Sequence, residues 1–367
     1  MALLQYDKVY VFAPYKFATG GIELAHQLVD YLRNKNREAY IVYADIRDGK
    51  IVTNDLQVTE QYKKYNIVVA PEVEDFSSNV VVLPEAYLMV VPRYKNAQVC
   101  VWWMSVDNAI MWNDNFNDTF RFEKGIINKL GLFKRLGGNC IKGTPLWNVY
   151  CKYIKHEYVE PKKSFVNRFS LAKLKKEDYR LFHFYQATYI QQFLYEHHFD
   201  RVIKLTDYIN PEIINNVDTT KKKENIILYN PSKGLKYTEN LMATMSGYKF
   251  IALKGFNREQ LNNLFDTAKL YIDFGPFPGK DRLPREAAIH KCCIVTGRFG
   301  ASGYFEDVPI YGKYKFDMTH ANYSEIKKCI DDIFANYNER VDDFKYLRES
   351  IMREQENFYR EIDNIFI

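Results

Sequence analysis

The stretch Asp273–Gly297, DFGPFPGKDRLPREAAIHKCCIVTG, decides the fold, because it joins a strand end, a loop, a short helix and a second strand. The Gly- and Pro-rich loop ends in Lys280, Asp281 and Arg282. The pattern predicts that the helix begins at Pro284, because the first turn tolerates a residue without an N–H group. A helix N-terminus with cations beside it is an anion site, most often for a phosphate.

Strand–helix alternation of this kind occurs in both halves of the chain. The polar segment 210–224 interrupts it, and the pattern restarts afterwards. KVYVFAP, near the N-terminus, indicates a buried strand, and Thr19, Gly20 and Gly21 lead from it into a helix. The apolar residues at helical spacing in that helix are Ile22, Leu24, Ala25, Leu28, Val29 and Leu32.

The alternation predicts an α/β protein of two Rossmann-like, doubly wound domains that face a central cleft. We place the domains at 1–209 and 225–322, with 210–224 as the linker. An irregular, basic and aromatic insertion lies near 105–178. The tail 323–367 has helical periodicity without Gly or Pro and predicts two or three helices that close the fold.

Composition is that of an ordinary globular protein, with 47% hydrophobic and 26% charged residues among 367. No apolar run approaches the ~18 residues of a membrane span, and the N-terminus lacks the features of a secretory signal. The six cysteines show no CxxC spacing. We therefore expect buried, reduced thiols and a cytoplasmic location.

Positive charge is concentrated in the segment 121–180, which carries 15 Lys and Arg against 5 Asp and Glu. The rest of the chain has 36 Lys and Arg against 41 Asp and Glu. Such a segment favours an anionic partner, which can be a membrane surface, a nucleic acid or an anionic glycan. A solvated basic face explains the same charges equally well. A peripheral membrane contact is thus one of the open alternatives.

Ligands of doubly wound folds bind at the carboxyl ends of the strands, so the loops there supply the candidate site residues. Gly20 and Gly21 let a ligand approach the backbone, and Glu23 and His26 follow in the first turns. After the strand IILY, Asn230 and Lys233 form a turn that suits a phosphate, although a plain surface turn has the same composition.

The loop of Asp273–Gly297 offers a second set of donor-binding groups. Lys280 and Arg282 flank the positive end of the helix, and Glu286 lies one turn in, where a carboxylate can accept two ribose hydroxyls. Asp281 either caps the helix or pairs with Arg282. Asp107 follows another apolar strand and is a candidate base for an acceptor hydroxyl, or a helix cap.

Several common sites are excluded by the sequence. There is no GxGxxG, Walker A loop, GxSxG or HExxH, and the histidines are scattered. We expect neither a metal nor a resident cofactor.

These residues resemble those of the GT-B glycosyltransferases. The loop from Thr19 to Glu23 resembles their N-terminal Gly-Gly-x-Glu loop, and residues 257–297 resemble their donor-binding core. The likeness is greatest to bacterial and viral surface-polysaccharide transferases of the family 4-like group. It covers 7–43 and 225–310 but hardly the middle of the chain.

The resemblance implies a nucleotide diphosphate sugar as donor and no metal. Glu286 would bind the ribose, and Lys233 with Arg282 or Lys280 would neutralise the diphosphate leaving group. Gly20 and Gly21 would line the cleft near the transferred sugar.

One departure concerns the pair of glutamates found in many retaining members. Glu286 matches the second, but Pro278 stands at the first position, and Asp281 is nearby but out of register. Whether the reaction retains or inverts therefore stays open. Asp107 or Glu23 is the candidate base of an inverting reaction, and Asp281 is the third candidate catalytic residue.

The expected function is transfer of a sugar from a nucleotide diphosphate sugar to a glycan or lipid-linked glycan, with the basic segment holding the acceptor. A sugar-nucleotide epimerase of the same fold is one alternative. A non-catalytic anion-binding or nucleic-acid-binding protein is another, but no nucleic-acid module is recognisable, so no nucleic acid is expected.

Overall fold

The computed structural model describes residues 2–15, 19–47, 50–52, 57–107, 109 and 171–367. The predicted insertion near 105–178 and the basic segment 121–180 fall largely outside these residues. Within the described part of the chain, no helix is both long and apolar enough to cross a membrane.

The N-terminal half forms a seven-stranded sheet in the order β3-β2-β1-β4-β5-β6-β7. All neighbouring strands are parallel except β2 and β3, which form an antiparallel hairpin. The central strands are continuous apolar runs because helices and loops cover both faces. The strands are β1 (Lys8–Pro14), β2 (Glu38–Arg47), β3 (Lys50–Val52), β4 (Asn79–Pro84), β5 (Gln98–Trp103), β6 (Leu181–Tyr185) and β7 (Val202–Lys204).

The C-terminal half forms a five-stranded, fully parallel sheet in the order β12-β11-β10-β8-β9. The order in which successive strands are added to the sheet reverses between β8 and β10, as it does between β1 and β4 in the first sheet. Such switch points open a crevice at the strand ends. The strands are β8 (Glu224–Tyr229), β9 (Lys249–Ala252), β10 (Ala268–Asp273), β11 (Cys293–Gly297) and β12 (Lys315–Phe316).

Eleven α-helices lie in the described residues, and short 3-10 turns connect several of them. The first helix buries all six of the apolar residues that the spacing predicted. The helices are α1 (Gly20–Asn34), α2 (Leu171–Glu177), α3 (Thr188–Glu196), α4 (Pro211–Asn215), α5 (Leu235–Ala243), α6 (Arg258–Thr267), α7 (Arg282–Ile289), α8 (Tyr323–Ala335), α9 (Tyr337–Arg340), α10 (Lys345–Met352) and α11 (Glu354–Phe366).

The tail beyond residue 322 contains four helices rather than two or three. The last of them, α11, returns to the first sheet, where Phe358 stacks against Trp102 at 6.3 Å between ring centroids. Ile362, Ile365 and Phe366 are buried in the same cluster as β1 and α1. The hydrophobic effect thereby fixes the C-terminus on the N-terminal sheet.

A carboxylate of the second half caps a helix of the first. The Asp307 carboxylate accepts hydrogen bonds from the backbone N–H groups of Thr188 at 2.6 Å and Tyr189 at 3.0 Å. These groups begin α3, whose own cap residue, Ala187, has no side-chain oxygen. The bonds satisfy donors that the first helical turn leaves open, and so tie the two halves together.

Candidate functional site

A cavity of about 420 Å³ lies where the carboxyl ends of the two sheets face each other. Its walls come from the loops that follow strands of both sheets. The first sheet supplies Gly20 and Gly21 after β1, Met104 after β5 and Gln186 after β6. The second supplies Asn230 after β8 and the run 278–283 after β10. The two domains thus meet at the edges where ligands of this architecture bind.

Glycines allow these loops to approach each other closely. A Cβ atom on Gly20 would lie 2.7 Å from Cδ of Arg282, and one on Gly279 would lie 2.0 Å from the carbonyl oxygen of Met104. The backbone N–H of Val106 donates to the carbonyl of Pro278 at 3.1 Å. The run 278–283 therefore packs directly on the loop after β5.

Helix α7 begins at Arg282, two residues earlier than the sequence pattern placed it. Pro284 is the third helical residue, where its missing N–H still costs no helical bond. Asp281 occupies the cap position, but its side chain makes no capping bond. The prediction that Asp281 caps the helix or pairs with Arg282 is therefore wrong; it pairs with Lys233.

Lys233 lies between two carboxylates of the second domain, one at the end of β10 and one at the cap position of α7. Its Nζ forms an ion pair with Asp281 and lies 3.6 Å from Oδ2 of Asp273. The Nζ also donates to the carbonyl of Pro276 at 3.0 Å and sits 3.9 Å from the ring centroid of Phe277. Asp273 and Asp281 line the cavity.

Asp273 was missed by the sequence analysis, although it ends β10 and so stands at the carboxyl end of a strand. Its carboxylate accepts hydrogen bonds from the Tyr271 hydroxyl at 2.9 Å and the Gly275 N–H at 3.1 Å. Burial raises its pKa to about 6, the Asp281 carboxylate adds to this, and Lys233 opposes it. A carboxyl with such a pKa exchanges protons near neutrality.

Arg282 connects the first domain to a buried glutamate. Its Nη1 lies 2.8 Å from Oε2 of Glu23, and its Nε lies 3.5 Å from Oε1 of Glu286. Oε2 of Glu286 accepts a bond from Nη1 of Arg258 at 2.7 Å. Glu286 is almost fully buried, so the two guanidinium groups provide the charge compensation that a buried carboxylate needs.

Glu23 is held by partners on several sides. Its Oε1 accepts from the hydroxyl of Tyr65 at 2.8 Å and the amide of Asn210 at 3.0 Å, while Oε2 faces Arg282. Burial alone would raise its pKa, but Arg282 and these hydrogen bonds lower it overall. A carboxylate with a lowered pKa is a weak proton acceptor, so this geometry favours a positioning role over that of a base.

Lys280 lines the cavity, but its ammonium group is already paired with two carboxylates. Its Nζ lies 2.9 Å from Glu354 and 3.4 Å from Asp207. The Arg285 guanidinium binds the same two carboxylates, at 2.8 and 2.5 Å. This buried four-residue cluster joins the first sheet, α7 and α11. Its charges balance, so Lys280 has a structural role that the sequence pattern did not reveal.

Asp107 lies two residues beyond Ser105, which lines the cavity, and four residues past the end of β5; it is not a lining residue itself and is exposed to solvent. Nearby loops nevertheless remove part of its hydration and raise its pKa, the Asp281 carboxylate adds to the rise, and Lys233 opposes it. A raised pKa makes the Asp107 carboxylate a stronger proton acceptor. Asn230 lines the cavity and accepts a bond from the Ser232 N–H at 2.9 Å, which shapes its turn.

A second cavity, of about 490 Å³, adjoins the first. Thr19, Gly20 and Arg282 line both. Glu23 and Arg258 line the second. Among the described residues, no group of three or more His, Cys, Asp or Glu side chains is arranged to hold a metal ion.

The fold is similar to solved structures of glycosyltransferases. Sucrose-phosphate synthase of Thermosynechococcus elongatus matches with a TM-score of 0.56 and 10% identity over 97% of both chains. HepE of Anabaena, in complex with UDP-glucose, matches with a TM-score of 0.54 and 8% identity over 97% of this chain and 98% of that one. A glycosyltransferase of Rickettsia africae matches with a TM-score of 0.51 and 11% identity over 98% of both chains.

No family model and no curated protein matches the sequence. At the identities above, structural likeness establishes the fold. The chain has the GT-B fold, with two Rossmann-like domains, as the sequence predicted.

Proposed function

We propose that the protein is a glycosyltransferase that moves a sugar from a nucleotide diphosphate sugar to a glycan or lipid-linked glycan, without a metal ion. One observation carries this proposal. The N-terminus of α7, with Arg282 and Lys233 beside it, faces the Gly20–Gly21 turn of the other domain across a cavity. Such a helix end is suited to a diphosphate, and the opposing glycines leave room for a sugar.

The donor can be placed across the two adjoining cavities, with its sugar in the first and its nucleoside in the second. Its diphosphate would lie at the start of α7, where the first turn leaves N–H groups without helical partners. Its nucleoside would extend past Arg282 into the second cavity, where the ribose would meet Arg258 and Arg282, which cover the buried Glu286 carboxylate. Its sugar would remain in the first cavity, near Gly20 and Gly21.

The reaction breaks the bond between the anomeric carbon and the diphosphate oxygen, and forms a bond from the same carbon to an acceptor oxygen. Negative charge develops on the leaving diphosphate. Arg282, Lys233 and the positive end of α7 would stabilise that charge, a task that a metal ion performs in other sites.

The acceptor proton needs a destination, which depends on the stereochemistry. In an inverting reaction Asp107 would take it, because its pKa is raised and it follows Ser105, which lines the cavity. In a retaining reaction the leaving diphosphate can take the proton, and Asp107 would orient the acceptor hydroxyl.

Support for the donor class comes from the fold likeness to HepE, which was solved with UDP-glucose. The acceptor is inferred from charge alone. The basic segment 121–180, most of it outside the described residues, suits an anionic glycan or a lipid-linked acceptor at a cytoplasmic membrane surface.

Product analysis tests the proposal. The protein is incubated with single sugar nucleotides in EDTA, with and without candidate glycan acceptors, and the products are identified by mass spectrometry. We expect one donor to release its nucleoside diphosphate and the sugar to appear on an acceptor. A sugar nucleotide that is altered but not cleaved would indicate an epimerase instead, and an unchanged panel would overturn the proposal.

A further inference from the structure

Asp281 separates the cation Lys233 from the cleft cavity. The carboxylate lines that cavity and pairs with the lysine, whereas the lysine itself is absent from the cavity wall. A diphosphate in the cavity would therefore meet the carboxylate before it could reach Lys233.

Helix α7 does not hold Asp281 in place. At a cap position an aspartate usually accepts a bond from the N–H of the second or third helical residue. Pro284 is the third residue and has no N–H, and the Asp281 side chain makes no capping bond. Burial raises the pKa of Asp281 and Lys233 opposes the rise, so the ion pair with Lys233 is what compensates for the burial of the carboxylate.

Lys233 has other contacts that do not depend on Asp281. Its stem lies along Gly275, where an added Cβ would be 2.5 Å from Cγ of the lysine. Its Nζ donates to the carbonyl of Pro276 and lies over the ring of Phe277. The lysine is thus fixed in position even if the aspartate moves away.

We propose that Asp281 is an internal substitute for the donor diphosphate: it neutralises Lys233 in the donor-free protein and is displaced when the diphosphate binds. This inference rests on the proposed function, since it requires that a diphosphate enters this cavity. Asp273 also faces Lys233, but hydrogen bonds from Tyr271 and Gly275 hold it in place. Asp281 is therefore the carboxylate that can leave.

The exchange sets a requirement on the ligand. An incoming group must outcompete a carboxylate that carries one negative charge, so a diphosphate is favoured over ligands of lower charge. Asp281 would in this way make the site selective for the diphosphate part of the donor rather than for its nucleoside.

Calorimetric titration tests the exchange. The probes are inorganic pyrophosphate and whichever of UDP, GDP, TDP and ADP binds the wild type most tightly. We expect Asp281→Asn to bind both roughly three- to tenfold more tightly, since no ion pair has to be broken first. The corresponding uncharged nucleoside should bind both proteins equally. Asp281→Ser, which also lacks the charge, provides a second variant if the first is unstable.

Two comparisons separate displacement from a general charge effect. Asp107→Asn removes a nearby carboxylate that is not paired with Lys233, and it should tighten pyrophosphate binding less than Asp281→Asn does. In a Lys233→Met background, Asp281→Asn should give no gain. The inference would be overturned if Asp107→Asn tightened pyrophosphate binding as much as Asp281→Asn does, or if Asp281→Asn gave the same gain in the Lys233→Met background. A loss of affinity in Asp281→Asn would also overturn it. If no nucleoside diphosphate binds any variant, the proposed function fails instead.

Discussion

Arg282 and Glu23 form an ion pair across the interface of the two domains, with 2.8 Å between Nη1 and Oε2. The arginine begins α7 and the glutamate lies in the first turn of α1, so the pair joins the two helix N-termini that border the cavity. The same arginine contacts Glu286 and lines both cavities. Loss of this partly buried side chain should affect ligand binding more than loss of a fully exposed cation elsewhere.

We predict that Arg282→Ala weakens nucleoside diphosphate binding by about ten- to a hundredfold, because a charge-assisted contact to phosphate is lost. Titration calorimetry gives the dissociation constant. Lys236→Ala is the matched control, because it removes an exposed cation of α5 that lines neither cavity. Equal affinities in the two variants would contradict the role given to Arg282.

Gly279 provides a test of how closely the domains pack. In Gly279→Ala the new Cβ would collide with the Met104 carbonyl, so the loops must separate. We expect about 1–3 kcal/mol lower stability, as for other overpacked sites, and at least tenfold lower transferase activity.

Gly312→Ala is the control for this change, because the nearest atom to its added Cβ would be 3.8 Å away. Its stability should stay within about 0.5 kcal/mol of the wild type. Urea unfolding measures both variants. A Gly279→Ala protein as stable and active as the control would show that the loops do not pack as described.

The buried cluster of Lys280, Arg285, Asp207 and Glu354 predicts a large loss of stability when one charge is removed. Arg285→Met leaves Asp207 and Glu354 short of compensating charge and should cost about 3–5 kcal/mol in the free energy of unfolding. The comparison is Lys345→Ala, which breaks the exposed pair with Glu349 at 3.9 Å. That change should have almost no effect. Similar losses in both variants would argue against the cluster.

His26 gives the protein a pH-dependent stability. Its ring is buried, with Nδ1 donating to the Ile22 carbonyl and Nε2 accepting from the Tyr43 hydroxyl, both at 2.7 Å. Burial lowers its pKa from 6.5 to about 4. Between these two pKa values the unfolded chain binds a proton at His26 and the folded protein does not. The contribution of His26 to the free energy of unfolding is therefore complete above pH 6.5 and is lost as the pH falls towards 4.

The difference between wild type and His26→Gln isolates this contribution. The wild type should lose about 3 kcal/mol more than the variant between neutral pH and pH 4. Denaturant unfolding at a series of pH values measures it, and the other titrating groups cancel in the comparison. Parallel stability curves would show that His26 does not titrate as described.

The sequence predicted the parts of the fold that depend on local patterns. The apolar spacing of α1 identified its buried face, and the stretch Asp273–Gly297 correctly predicted a strand, loop, helix and strand. The site loops were found because they follow strands, and parallel sheets bring such loops to one edge.

Pairings between distant residues could not be predicted in the same way. Arg285 lies in the predicted helix, but nothing local indicates that Asp207 and Glu354 meet it. Asp281 was expected to cap the helix or to pair with Arg282 because of its position, whereas its partner Lys233 lies 48 residues away in the chain. Asp273 could have been found, since an acidic residue at a strand end is a recognisable signal.

The most direct test of the central claim is a thermal-shift panel of UDP, GDP, TDP, CMP and ADP, without metal and then with EDTA. A ligand that binds the folded state raises the melting temperature. We expect a clear shift with one nucleoside diphosphate, unaffected by EDTA and lost in Arg282→Ala. No shift with any of the nucleotides would contradict a nucleotide-sugar donor and leave the loop after β10 with a structural role.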